Sequence, residues 1–373
     1  MLTDVFKTYP TVYVVGNMYQ IFVPVTCETV MWAEVGGKNY YDHSNGTLRS
    51  GTLLHKMTVP MEVIDSCKKY KICYRVVNER LAYFSKCEEE VSVEFDFKPV
   101  TKTENIHIYH VSDAHNKIDP VVNCGTYFGD DLDLLILNGD VPEDCSKVEN
   151  LDTIYYISGQ ITKGEIPAVF ARGNHDLRGV CAEKMAEYSP TNNGISYYTF
   201  RVGCVWGLVL DCGEDKPDGN PEYGHTICCH CFREEETQFI KDVIKNAENE
   251  YEAQGVKYKM VICHVPFTQV TKPPFDIEQD IYKEWAKLIG ENIKPHVMMS
   301  GHTHFLDVYR VGGEYDHLGQ FCDIVVAANP FYTSTMRIEE KFEGGGLVLN
   351  NDCIDVVFTN QDKEVVRTEK IKI

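Results

Sequence analysis

The chain has 373 residues, an apolar fraction of 43% and a net charge of −20, enough apolar side chain for one large domain or two smaller ones. The charge is uneven, −1 over residues 1–104 and −19 over residues 105–373. A body that acidic repels a phosphate backbone, which argues against a broad nucleic-acid surface. The apolar runs are too short and interrupted to cross a bilayer.

The opening stretch, MLTDVFKTYPTVYVV, carries an acid and a proline early and lacks the apolar core of a signal peptide, so no export or transit signal is read there. The fifteen cysteines are then expected to be reduced thiols of a cytoplasmic protein rather than a disulfide framework. Residues 11–100 alternate apolar and polar side chains in TVYVVGNMYQIFVPV, TVMWAEV, YKICYRVV and VSVEFDF, separated by turn material such as GGKN, HSNGT and VIDSCKK. This rhythm predicts a small all-β sandwich over residues 1–102, a folding or docking module.

From residue 103 to residue 373 the pattern changes. The runs NIHIYHVS, LDLLILN, PAVFAR, VWGLVLD, KMVICHV and HVMMSG are continuous, as strands buried on both faces require, and helical segments alternate with them. Two helices stand out. FREEETQFIKDVIKNAENEYEAQG sets Phe239, Ile240, Val243 and Ile244 on one face and ends in a glycine; DIEQDIYKEWAKLIGEN aligns Ile281, Trp285, Leu288 and Ile289. The tail from GGGLVLN onward returns to strand rhythm and ends on an exposed strand.

Five of the buried runs finish in polar residues of one kind. They deliver Asp113 and His115; Asp140; Asn174, His175 and Asp176; His264; and His302 and His304. In open α/β sheets the carboxyl ends of strands face one crevice, so these side chains are expected to gather there. Carboxylate, imidazole and amide donors without sulfur favour Mn, Fe or Zn. In an extended segment residues i and i+2 point the same way, about 6.5–7 Å apart. His302 and His304 would then face the crevice without sharing one ion, each serving one of two metals about 3.5–4 Å apart. His43, His55, His107, His110, His296 and His317 belong to no such cluster and read as hydrogen-bonded bystanders. Cys228 and Cys231 have zinc-like C-x-x-C spacing beside His225, Cys229 and His230, but no second ligand pair is evident.

The motifs DAH, GD, GNHD, H and GHTH, in this order between about residues 105 and 310, resemble those of the calcineurin-like metallophosphoesterase superfamily. The whole chain is most similar to the bacterial branch resembling purple acid phosphatases, in which a fibronectin-like sandwich precedes the catalytic domain. The resemblance implies an α/β fold, a β-sandwich flanked by helices (α/β/β/α), over residues 103–373. It implies Asp113, His115 and His304 on a first metal, Asn174, His264 and His302 on a second, Asp140 bridging, and His175 as a catalytic histidine that binds no metal. The activity implied is hydrolysis of a small phosphate ester: a water held between the metals attacks phosphorus in line, and His175 protonates the departing alkoxide. Glu143 or Asp176 is the expected carboxylate partner of His175, with Glu143 preferred. Asn174 and Arg178 are expected to touch the substrate phosphate. One departure matters: purple acid phosphatases place a tyrosine three residues after the bridging aspartate, and Glu143 stands there instead, so a ferric tyrosinate is not expected. A phosphodiesterase for nucleotide-type diesters and a non-catalytic scaffold are the alternatives.

Overall fold

The computed structural model describes residues 2–327 and 341–373. The uninterrupted apolar runs form strands buried on both faces, divided between two sheets. Ile106–Val111, Leu134–Asn138 and Pro167–Ala171 lie parallel in a nine-stranded sheet. Val205–Leu210, Tyr258–Cys263 and Val297–Ser300 lie parallel in a six-stranded one. The sheets meet face to face: Ile108, Ile136 and Val169 share an apolar layer with Val209, Ile262 and Met299. Helices Ile118–Gly125 and Val148–Thr162 cover the outer face of the first sheet through Val121, Leu151 and Ile154. Helices Cys229–Lys245 and Gln279–Leu288 cover that of the second through Ile240, Val243 and Trp285. The order is helix, sheet, sheet, helix, as expected. No described helix is long and apolar enough to cross a membrane.

The N-terminal strands are less separate than their pattern suggests. Thr11–Val15 pairs in parallel with Pro167–Ala171, and Met18–Pro24 and Leu54–Pro60 continue that sheet. A smaller sheet containing Thr29–Val35 and Lys69–Glu79 packs on this extension, with Met31, Ala33 and Ile72 against Val12, Val14 and Ile21. The region before residue 102 is thus all-β in two layers apart from one short helix, but one layer is the flank of the nine-stranded sheet. An alternating hairpin reads the same whether its outer strand meets solvent or a partner far along the chain, so the boundary between residues 102 and 103 does not interrupt the hydrogen bonding.

Three local readings change. VIDSCKK lies in a helix, Met61–Cys67, and the first strand residues beyond it, because Ile64 is fully buried and Lys68 closes the helix in the left-handed conformation. The helix from Phe232 begins earlier, at Cys229, and stops at Lys245 well short of the glycine. There Tyr251 folds back onto Trp206, ring centroids 5.6 Å apart, while the Trp206 indole donates to Glu250. Val148–Thr162 had no place among the two named helices, since burial on nearly every side blurs its period.

Because residues on both sides of position 102 share one sheet and one apolar layer, calorimetry should show a single unfolding transition. A chain beginning at residue 103 should be unfolded or insoluble, having bared the edge of Pro167–Ala171. Two separable transitions, or a soluble folded 103–373 fragment, would instead establish two independent units.

Candidate metal centre

The polar strand ends of both sheets meet at one rim of the sandwich. The backbone there is not extended: Asp113, His115, Asp140, His302 and His304 all have φ between +43° and +67°, the left-handed region that costs a non-glycine residue roughly 1–3 kcal/mol. Left-handed turns fold each strand end back over its neighbour. Two glycines permit the closeness: a Cβ on Gly301 would lie 1.8 Å from Ser112 Oγ, and one on Gly173 would lie 2.3 Å from Asp140 Oδ1. The extended spacing expected for His302 and His304 therefore does not occur, yet the two rings still part. His304 joins Asp113 and His115, and His302 joins Asp140 and His264, each trio having ligand atoms within 4.8 Å of one another. A third trio is His115, Glu143 and His175.

The electrostatics call for cations. Asp113 and Asp140 are almost wholly buried, where unpaired charge is expensive. His264 Nδ1 donates to the Asn138 carbonyl at 2.6 Å, so in the neutral ring the lone pair sits on Nε2. That atom lies 3.1 Å from Asp140 Oδ2 but outside hydrogen-bond geometry, acceptor facing acceptor. Only a positive species resolves the opposition. Burial resists charging His264, but Asp140 and Asp113 override it and push the imidazole up to about 10. Asp140 sits well below the usual carboxylate range, since His264, His175 and His115 outweigh its burial. A metal ion would fill the same role, and a ligand histidine whose other nitrogen donates to a backbone carbonyl is the arrangement metals favour. His302 is pushed down to about 4 by burial and by His264, which keeps it neutral as a ligand must be. Its Nδ1 lies 3.0 Å from Asn174 Oδ1, bringing the amide into the group.

His175 stands beside this cluster, its ring centroid 4.7 Å from that of His115. Its partner differs from expectation. Nδ1 donates to the backbone carbonyl of Glu143 at 2.7 Å, while the Glu143 carboxylate is 3.9 Å from Nδ1 and pairs with His115 Nδ1 at 3.0 Å. Asp176 does not reach His175 in this way: its fully buried Oδ2 accepts from the amides of Gly173 at 2.7 Å and Asp140 at 3.1 Å. Burial and the Asp140 charge push its carboxyl up to about 7. It holds the turn rather than the ring. Arg178 Nη1 lies 2.8 Å from His175 Nε2; a guanidinium can only donate, so Nε2 accepts. Arg178 is itself gripped by Glu214, through Nε at 2.9 Å and Nη2 at 3.1 Å, and the Tyr223 hydroxyl donates to the same carboxylate.

Glu214 and its neighbour Asp215, which lies 3.8 Å from His302 Nε2, went unassigned in the sequence. Their signal was a sixth strand end, Val205–Leu210 running into Asp211, Gly213 and this acidic pair. The C-x-x-C reading does not assemble. Cys228 and Cys231 are exposed, Cys229 turns inward, His230 pairs with Glu278, and none of these residues joins a ligand group among the described residues. His110 is no hydrogen-bonded bystander: it is fully buried with neither ring nitrogen bonded, and burial lowers it to about 3.

Comparison with known proteins bears on this geometry. No curated protein sequence matches the chain. Purple acid phosphatase PPD1 from yellow lupin (Lupinus luteus) seeds superposes with a TM-score of 0.57 at 13% identity, covering 99% of this chain and 75% of that one. PhoD superposes with a TM-score of 0.57 at 10% identity, covering 100% and 90%. These likenesses show the fold. The family model for calcineurin-like phosphoesterases matches residues 106–306, a span holding every one of the gathered side chains, and the chain belongs to that family of metal-dependent phosphoester hydrolases.

Proposed function

We propose that the protein hydrolyses a small phosphate ester with two metal ions, Mn, Fe or Zn. Asp113, His115 and His304 would hold one, Asn174, His264 and His302 the other, and Asp140 both. The 3.1 Å approach of His264 Nε2 to Asp140 Oδ2 in a buried site, which demands a positive charge on or between them, carries the reading. When bound, such ions lower the pKa of a water to the order of 7 and offset charge on the phosphoryl oxygens. The chain's own residues supply the rest. The Glu143 carbonyl keeps the Nδ1 proton of His175 in place, so Nε2 is the nitrogen left to act as acid. It accepts from Arg178 here, and once the guanidinium turns to the phosphate it can take up a proton from solvent and pass that proton to the departing alcohol. Arg178, held against that nitrogen by Glu214, is placed to take phosphate oxygens beside it. Asn174, at the His302 ring, adds an uncharged donor.

The charge of −19 over residues 105–373 supports a small substrate over a nucleic-acid strand. The fifteen cysteines, all thiols in the structure, include Cys212 and Cys263, whose sulfurs lie 3.3 Å apart in a thiol hydrogen bond. They support a reducing, cytoplasmic setting.

Elemental analysis of the purified protein should find about two transition-metal ions per chain, and Asp140→Asn should lose at least one; full occupancy in that variant would remove Asp140 from the site. His175→Ala should keep its metals and release p-nitrophenol from its phosphate about 10²–10⁴ times more slowly. Undiminished turnover would mean the proton comes from elsewhere.

A further inference from the structure

Beside the gathered ligands lies a recess of about 50 Å³ with His302 and Thr303 on its near wall. At roughly 10–15 Å³ for each water-sized group, it has room for about four. Phe267, Tyr282 and Leu318 form a buried apolar floor, and Phe275 stands at the mouth. Apart from His302, the ionisable side chains lining it are the carboxylates Glu214, Asp215 and Asp276 and the Tyr282 phenol; no described lysine or arginine is among them. Glu214 is committed to Arg178 and Tyr223. Asp215 lies between Arg178, at 4.0 Å, and His302, at 3.8 Å. Asp276 makes no ion pair with a described residue. Two cations of the chain lie beside this wall: Lys216 Nζ, paired with Glu222 at 2.7 Å, rests 5.4 Å over the Phe275 ring and 3.9 Å from Asp215, and the Arg233 guanidinium lies 6.0 Å from the Tyr282 ring centre.

Aromatic faces beside a carboxylate in a partly enclosed space are what recognises an ammonium group. The same carboxylates repel a second phosphate or a carboxylate. Resting on the phosphoesterase reading above, we propose that this recess seats the alcohol portion of the substrate, and that the substrate is a phosphate ester of a small amino alcohol. The phosphate meets the metal ligands at His302, and the short chain carries its ammonium to Asp276 and the aromatic wall.

Three near-isosteric, unhydrolysable phosphonates test this by calorimetry on the full chain loaded with Mn: 3-aminopropylphosphonate, butylphosphonate and 3-carboxypropylphosphonate. The amine should bind about tenfold more tightly than the neutral compound, and the acid most weakly. In Asp276→Asn the first two should come within about threefold. Equal affinities in the wild type, or a preference that survives both Asp276→Asn and Phe275→Ala, would overturn the proposal. p-Nitrophenyl phosphate turnover in the same preparation reports on the reaction separately. An ammonium preference without turnover would support the recess and sink the hydrolytic reading alone.

Discussion

Buried carboxylates and imidazoles brought so close that positive charge must sit among them are the constraint on which the rest of this structure depends. Asp140 and Asp113 are withdrawn from water, and His264, fixed through Nδ1 on the Asn138 carbonyl, turns Nε2 toward Asp140 at 3.1 Å. Without compensation this arrangement is costly. A metal ion held there would make it favourable, and its binding energy would add to the stability of the fold.

Two sheets are needed because one cannot supply enough strand ends at one point. Three parallel strands from each sheet bring their polar termini to the same rim, and the apolar layer containing Ile108, Ile136, Ile262 and Met299 keeps the sheets in register. The left-handed turns at five of the gathered residues are strain that surrounding contacts must hold, such as the Asp176 carboxylate accepting the amides of Gly173 and Asp140. Beside the rim, further pairs hold Arg178 and His175 in place: Glu214 on the guanidinium, and the Glu143 carbonyl on the imidazole.

Much of this was legible in the sequence because buried strands and polar strand ends leave linear traces. NIHIYHVSDAH and VMMSGHTH announce both the strand and its functional tip. The parting of His302 and His304 between two groups was expected from their spacing, but through an extended backbone that does not exist; left-handed turns at both residues achieve the separation. The partner of His175 was out of reach for another reason. A backbone carbonyl has no residue type, so sequence pointed to the Glu143 side chain where the main chain acts. Asp176 is adjacent to His175 along the chain, but its carboxylate is committed to the amides of Gly173 and Asp140. The pairing of Thr11–Val15 with Pro167–Ala171 joins segments whose local patterns carry no mark of each other.

The most direct test of the central claim is anomalous diffraction from crystals of the protein loaded with Mn. The account predicts two anomalous peaks, with His264 Nε2 and Asp140 both in direct contact with metal and no proton shared between them. Crystals showing Asp140 and His264 hydrogen-bonded to each other, with metal bound elsewhere or not at all, would contradict it.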